Sequence, residues 1–254
     1  MKFRNLLQQA DYTLILPMEN VRPLDLILRK EKNIFSFFSQ NEGSLIHSSL
    51  KDLFKMAGRG SRYPDVAEKA LPSNLLGSDL VDGSGGFAAN FIAKARFQGS
   101  ASVKKSQTML FSYKNARELS VNFIILDEYM QSSKLNAGSL TFREAVQKGN
   151  IYIITSALVS KELELKNAGE FNFTGNLTAE VVAESMNGSA SANYANTEKY
   201  LINSNGNIPL TFAIKAVRIL YDDDKFRIKP EKIQVRGAND EMEYMEDEEA
   251  IILI

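Results

Sequence analysis

Residues 85–105 read GGFAANFIAKARFQGSASVKK. From Phe87 to Lys104 every odd position is apolar or small: Phe87, Ala89, Phe91, Ala93, Ala95, Phe97, Gly99, Ala101 and Val103. The even positions are polar except Ala88 and Ile92. This is the two-residue period of a β-strand, sustained well past the roughly 5–6 residues usual in globular sheets. A strand that crosses a bilayer needs roughly 9–11 residues, with a lipid side and a water side in alternation.

The pattern recurs downstream. Phe171, Phe173, Gly175, Leu177, Ala179, Val181 and Ala183 fall on one side of a strand, and Asn172, Thr174, Asn176, Thr178, Glu180 and Glu184 on the other. Asn187-Gly188 follows, the pair favoured in a two-residue type I′ turn. With that turn, Ala183 faces Ala192 and Val181 faces Tyr194, both on the apolar side, while Glu184 faces Ser191. The second stretch therefore reads as a long amphipathic hairpin. The turn of the first has no comparable signal. Exposed in a monomer, such apolar sides invite aggregation. Folded down they serve as core, and unfurled side by side in a ring they supply strands to a closed barrel, the form that satisfies every backbone group in lipid.

Between these stretches the chain reads as a hairpin-rich sheet protein. Residues 1–10 form a short amphipathic helix on Phe3, Leu6, Leu7 and Ala10, with Lys2 and Arg4 beside the stripe. TLILPMENVRPLDLILRK (13–30) reads as two strands joined in a hairpin. KNIFSFF follows, placing Phe35, Phe37 and Phe38 on a loop next to Arg29, Lys30 and Lys32, a combination suited to an anionic bilayer. Residues 45–57 have helical spacing, and 58–86, rich in Gly, Ser, Pro and Asp, read as irregular. LSVNFIIL (119–126), IYIITSALV (151–159) and LTFAIKAVRIL (210–220) read as buried strands. SLTFREAVQKGN (139–150) reads as a helix ended by Gly149. These elements predict an α+β fold with a central twisted, mostly antiparallel sheet and peripheral helices.

The net charge of −1 hides an asymmetry: residues 240–249, DEMEYMEDEE, hold seven acids and no base, so the remainder carries +6. An acid run is ordinarily a solvated terminus, and it is also able to mask a basic body. No window has the 18 or so apolar residues of a transmembrane helix and the N-terminus lacks a signal sequence, so synthesis and residence in the cytoplasm are expected. The chain has no cysteine, which removes disulfides, thiolate metal sites and cysteine nucleophiles. Catalysis is unsupported. His47 is the sole histidine, VDGSGGF lacks the phosphate-loop pattern, and Asp222, Asp223 and Asp224 lack the spacing of calcium-loop oxygens. No cofactor, metal or nucleic-acid partner is expected. Periodicity alone leaves two functions open: a pore-former, and a soluble structural or interaction protein built on a large antiparallel sheet.

The order of segments decides between them. VRPLDLILRKEKNIFSFF with the following SLKDLF, then GNIYIITSALVSKELELKNAGEFNFTGNL, then NIPLTFAIKAVRIL, resembles in collinear order the start and the later strands of gasdermins, in the short bacterial or fungal form with a brief C-terminal tail. The resemblance implies an autoinhibited protein with a pore-forming domain over 1–236 and an acidic linker and apolar inhibitory tail over 237–254. Proteolysis of the tail then leads to oligomers, insertion of a β-barrel into the cell membrane and cell death, as in anti-phage defence. It implies Arg29, Lys30, Lys32, Phe35, Phe37 and Phe38 at anionic lipid; the N-terminal amphipathic helix suits docking on the protein's own core or on a membrane surface, where Lys2 and Arg4 join that set. It places Phe87, Phe91, Ala93, Ala95, Phe97, Phe173, Leu177, Val181, Ala183, Ala192 and Tyr194 in the barrel wall. Ile251, Ile252, Leu253 and Ile254 become the inhibitory contact, and Arg236, Asp240 and Asp247 the candidate cleavage positions for an activating protease. Bacterial members typically carry an acylated N-terminal cysteine, and this sequence has none.

Overall fold

The computed structural model describes residues 12–28, 46–56, 62–71, 74–81, 107–135, 140–167, 190–196, 199–204, 208–222 and 225–230. Its spine is a pair of long antiparallel strands, β10 (Ile151–Ser160) and β14 (Leu210–Asp222), paired from Tyr152 opposite Arg218 to Ser160 opposite Leu210 with two register shifts between, at Ile154/Ser156 and Leu158/Val159. Every residue of β10 except Thr155 is buried. Both of its faces are covered, which is why IYIITSALVS is mainly apolar, its few polar residues small, instead of alternating.

Each spine strand shares its outer edge between two short strands. On β10 these are β2 (Asp25–Leu28) and β8 (Arg117–Val121); on β14 they are β1 (Thr13–Met18) and β15 (Lys225–Pro230). Adding β3 (Ile46–Ser49) beside β2 and β5 (Val66–Ala70) beside β8 completes an eight-stranded, wholly antiparallel core sheet. One face carries Leu26, Ile151, Ile153, Val217 and Ile219 against Leu50, Phe54, Leu126, Met130, Phe142 and Val146. Phe54 meets Phe226 and Phe142 edge-on, at centroid distances of 4.9 and 6.3 Å. The other face gathers Ile15, Val21, Ile27, Tyr152, Ile154 and Ile214. This is the expected α+β fold.

Several local expectations are corrected. The 13–30 segment is not a hairpin: β1 and β2 lie on opposite sides of the spine, each bonded to a different strand of it. The link between them crosses both spine strands. Leu24 N donates to Ile154 O at 2.8 Å, Thr211 Oγ1 donates to Val21 O at 2.7 Å, and Asn20 and Leu24 take positive φ of 62° and 76° to make the bend. Of the expected helix over 45–57, the described residues 46–56 hold one helical turn, α1 (Leu50–Leu53), capped by the reciprocal Ser49 and Asp52 bonds. It lies between β3 and β4 (Phe54–Met56), which pairs with β9 (Ser133–Leu135).

Residues 119–126 are not one strand. Asn122 ends β8, and its Oδ1 accepts from Ile124 N and Ile125 N at 2.9 and 3.3 Å, starting α2 (Phe123–Gln131), which buries Leu126, Tyr129 and Met130 at i, i+3, i+4. The stretch 58–86, expected to be irregular, supplies β5 and a further strand, Asn74–Val81. The helix at 139–150 is present as α3 (Leu140–Gln147). Gly149 follows at φ +67°, where a Cβ would meet Arg218 Nε at 2.9 Å. The expected helix over 1–10 lies outside the described residues.

Candidate functional site at the joint between two sheets

A second sheet, the hairpin sheet, is built from strands that flank the two alternating stretches. Its order is β12 (Ala190–Asn196), β13 (Lys199–Ser204), β11 (Glu162–Asn167), β7 (Gln107–Lys114) and β6 (Asn74–Val81), antiparallel at every step. Four of these strands continue core strands: β6 follows β5, β7 precedes β8, β11 follows β10 and β13 precedes β14. The order across the second sheet, β13-β11-β7-β6, matches the order β14-β10-β8-β5 in the core. The hairpin sheet is thus an extension of the core sheet across a joint.

Register places the residues of this sheet in rows. Leu75, Tyr113, Leu163, Ile202 and Ala192 form one row, and Gly77, Phe111, Leu165, Tyr200 and Tyr194 another two residues farther from the joint. Intervening rows hold Asn74, Lys114, Glu162, Asn203 and Ser191, then Leu76, Ser112, Glu164, Leu201 and Asn193. Because opposed residues share a face and successive rows alternate, one face is apolar and the other mainly polar. Tyr113 and Leu163 are buried, and the Tyr113 ring stacks on Phe212 of β14 with centroids 3.7 Å apart. On the polar face Lys114 Nζ lies 3.6 Å from Glu162 and 3.9 Å from Glu164.

The joint itself is pinned by a few polar contacts. The buried Ser160 Oγ lies 2.6 Å from Lys114 O and 2.8 Å from Glu162 O as donor, and accepts from Glu162 N at 3.1 Å. Leu71 N donates to Ala116 O at 3.0 Å, and Asn115 takes a positive φ of 50° where β7 becomes β8. Lys114, Asn115, Ala116, Arg117, Lys161 and Glu162, with Ala70 and Leu71, line a cleft of about 440 Å³ along this seam. Arg117 pairs with Glu68 at 2.6 Å. Nearby, Tyr12 donates to Glu118 at 2.5 Å and sits 2.7 Å from Ser156 Oγ. Burial, followed by that bond to Glu118, raises its hydroxyl pKa far above the ordinary value. Ser160→Ala leaves the part-buried Lys114 carbonyl without its hydroxyl donor, so unfolding should be easier by about 1 kcal/mol. Denaturant titration checks this, and a change below about 0.5 kcal/mol would contradict the assigned contact.

Of the residues expected in the barrel wall, Ala192 and Tyr194 fall in β12, in the apolar rows, opposite Ile202 and Tyr200. Phe87, Phe91, Ala93, Ala95, Phe97, Phe173, Leu177, Val181 and Ala183 lie outside the described residues, as does the expected pairing of Ala183 with Ala192. Their numbering is nonetheless in phase with the described rows. The apolar positions of 87–103 and 171–183 fall mainly on odd numbers, as do Leu75, Phe111, Tyr113, Leu163 and Leu165 of the apolar rows. Leu76, Leu80, Leu110 and Leu201 in the polar rows, and Asp79, Gln107 and Asn167 in the apolar rows, depart from the pattern. The lipid-contact set Lys2, Arg4, Arg29, Lys30, Lys32, Phe35, Phe37 and Phe38 lies outside the described residues. So do Ile251 to Ile254 and the candidate cleavage positions Arg236, Asp240 and Asp247. Sequence reading missed the joint; its one signal is the change at Ser160-Lys161 from a continuous apolar run to alternation.

Residues 14–227 match the family model described as the Bacterial Gasdermin Family, and the chain belongs to that family of pore-forming proteins. Gasdermin bGSDM of Lysobacter enzymogenes is 20% identical over 229 residues, covering 87% of this chain and 81% of that one. Gasdermin bGSDM of Gillisia limnaea is 24% identical over 252 residues, covering 90% and 89%. Among solved structures, a bacterial gasdermin from Bradyrhizobium tropiciagri aligns over 90% of each chain at 13% identity and a TM-score of 0.47. The gasdermin A3 membrane pore aligns over 93% of this chain and 96% of that one at 15% identity and a TM-score of 0.38.

Proposed function

We propose that this chain is an autoinhibited pore-former whose hairpin sheet unfolds from the joint and becomes part of a transmembrane β-barrel shared among many copies. The observation that carries this reading is the alternation of apolar and polar rows across β6, β7, β11, β13 and β12, in phase with the two long alternating stretches. In the monomer the apolar face is covered near Tyr113 and Leu163; in the barrel it meets hydrocarbon, while the polar face lines water.

The remaining parts follow from that role. Residues 1–236 form the pore-forming domain and 237–254 the inhibitory segment, with Ile251, Ile252, Leu253 and Ile254 held on the body and the acidic run offsetting its positive charge. Lys2, Arg4, Arg29, Lys30 and Lys32 meet anionic headgroups while Phe35, Phe37 and Phe38 enter the bilayer. Each basic residue near such a surface is worth about 1 kcal/mol and is screened by salt. A protease cutting at or near Arg236, Asp240 or Asp247 releases the tail. The inactive protein resides in the cytoplasm, and the pore opens in the cell's own membrane and kills it as a defence against phage. Dye release from anionic liposomes tests the reading. The full chain should leave vesicles sealed and, once cut between Gly237 and Ala250, should empty them. Release by the uncut chain at the same rate, or none after cutting, would contradict it.

A further inference from the structure

The hairpin sheet contains one strand that the core sheet does not continue. Strands β6, β7, β11 and β13 each run on into a core strand, whereas β12 lies at the edge, folded back along the outer side of β13 through a two-residue connection from Asn196 to Lys199. We infer that β12 is a guard strand: it occupies the edge of β13 to which a second copy of this chain adds its own β6, and it must peel away before copies can join. This rests on the pore reading above.

Strand direction carries the argument. Because every neighbouring pair is antiparallel, β6, β11 and β12 point one way, and β7 and β13 the other. In a ring of copies related by rotation, the β6 of the next copy arrives at the far edge in the same orientation as the first copy's own β6. If that edge is β12, the seam is parallel and each copy contributes five strands. If it is β13, the seam is antiparallel and each copy contributes four. Bacterial membrane barrels are antiparallel with even strand numbers, so the closed ring requires the β13 edge. The guard also removes the edge-pairing hazard in the monomer, as covering strands do in other sheets.

Length supports the same conclusion independently. Strand β13 has 6 residues, short of the roughly 9–11 needed to cross a bilayer. Extending the chain straight on from Asn196 places Ala190–Asn196 in line with Lys199–Ser204 and makes one continuous strand of sufficient length. The faces are kept, because Ala192, Tyr194, Tyr200 and Ile202 are all even-numbered and share one side of a straight strand as they share one side of the folded pair.

The chain has no cysteine, so the guard can be locked. Ala192 and Ile202 are opposed across β12 and β13, and opposed Cα atoms in antiparallel pairs lie about 4.5–5.5 Å apart, within disulfide reach. The experiment uses the full chain carrying a specific protease site within 240–249 and anionic liposomes holding a quenched dye. Ala192→Cys with Ile202→Cys, oxidised and then cut, should release dye at least tenfold more slowly than the same protein reduced. Lys166→Cys with Lys199→Cys bridges β11 and β13, which remain neighbours in both states, and should release dye equally in either redox state. Ser191→Cys with Asn203→Cys gives a second lock, read in the same way should the first pair fail to fold. Equal release by the oxidised and reduced guard locks overturns the guard strand while leaving the pore intact. No release by any reduced, cut protein overturns the pore reading and the guard with it.

Discussion

Ala192→Lys is expected to suppress dye release by the cut protein by about 30-fold or more, from a cost of about 2–4 kcal/mol per subunit for a lysine facing hydrocarbon near the bilayer midplane, with 1.4 kcal/mol per tenfold. Ser191→Lys, one residue away, should be close to neutral. The two positions differ only in row. Ala192 stands opposite Ile202 in the apolar row that includes Leu163 and Tyr113, and Ser191 stands opposite Asn203 in the row of Lys114 and Glu162. Since every copy carries the substitution, the cost repeats around the ring and the loss exceeds what one subunit would show. The comparison is made on liposomes of fixed composition and salt. Strong loss with Ser191→Lys and none with Ala192→Lys would mean that the faces are reversed.

Phe212→Ala should produce the largest loss of monomer stability, about 3–5 kcal/mol, against the 5–15 kcal/mol that a typical domain has in total. Phe212 is fully buried in β14, and its ring stacks at 12° on Tyr113 of β7. It is therefore a contact between the core strand and the hairpin sheet, and its removal leaves a cavity at the joint. Denaturant midpoints report the change, and an unchanged slope would show that the same cooperative unit is unfolding. A loss under about 1.5 kcal/mol would mean that the site collapses around the missing ring and that the stack contributes little to holding the two sheets together.

The sheet was legible where burial is one-sided or complete over a long run. Residues 151–160 and 210–220 are mainly apolar without regular alternation because both faces are largely covered, and 140–147 has a helical stripe ended by Gly149. Local pattern failed where one residue redirects the chain. Asn122 turns an apolar run from strand to helix by accepting two backbone N–H bonds, and no period in LSVNFIIL distinguishes the two. It failed again where pairing is long-range: β1 and β2 look like a hairpin, yet each finds a partner more than a hundred residues away.

For the candidate site, the two-residue period was readable in the sequence, and Ala192 and Tyr194 stand in the apolar rows of the described sheet. The joint was not, because a hinge is defined by which strands continue across it, and that depends on sheet order. Ser160 looks like any small residue at the end of a strand. Only the approach of Lys114 O to its hydroxyl makes it a pin. The guard strand was hidden for the same reason. Ala190–Asn196 reads as the return arm of a hairpin, and its partner on the Lys199 side becomes visible only once the register is known.

The central claim, that the apolar rows of the hairpin sheet turn to lipid, is tested most directly by single cysteines at Ala192 and Ser191, each carrying an environment-sensitive fluorophore in this otherwise cysteine-free chain. After cutting in the presence of anionic liposomes, the label at 192 should shift to the blue and be quenched by a lipid-borne quencher, while the label at 191 remains in a watery setting and is quenched by iodide from solution. Labels at both positions that stay accessible to iodide and untouched by the lipid quencher while the vesicles leak would contradict the account, because the membrane would then have been breached by some other part of the chain.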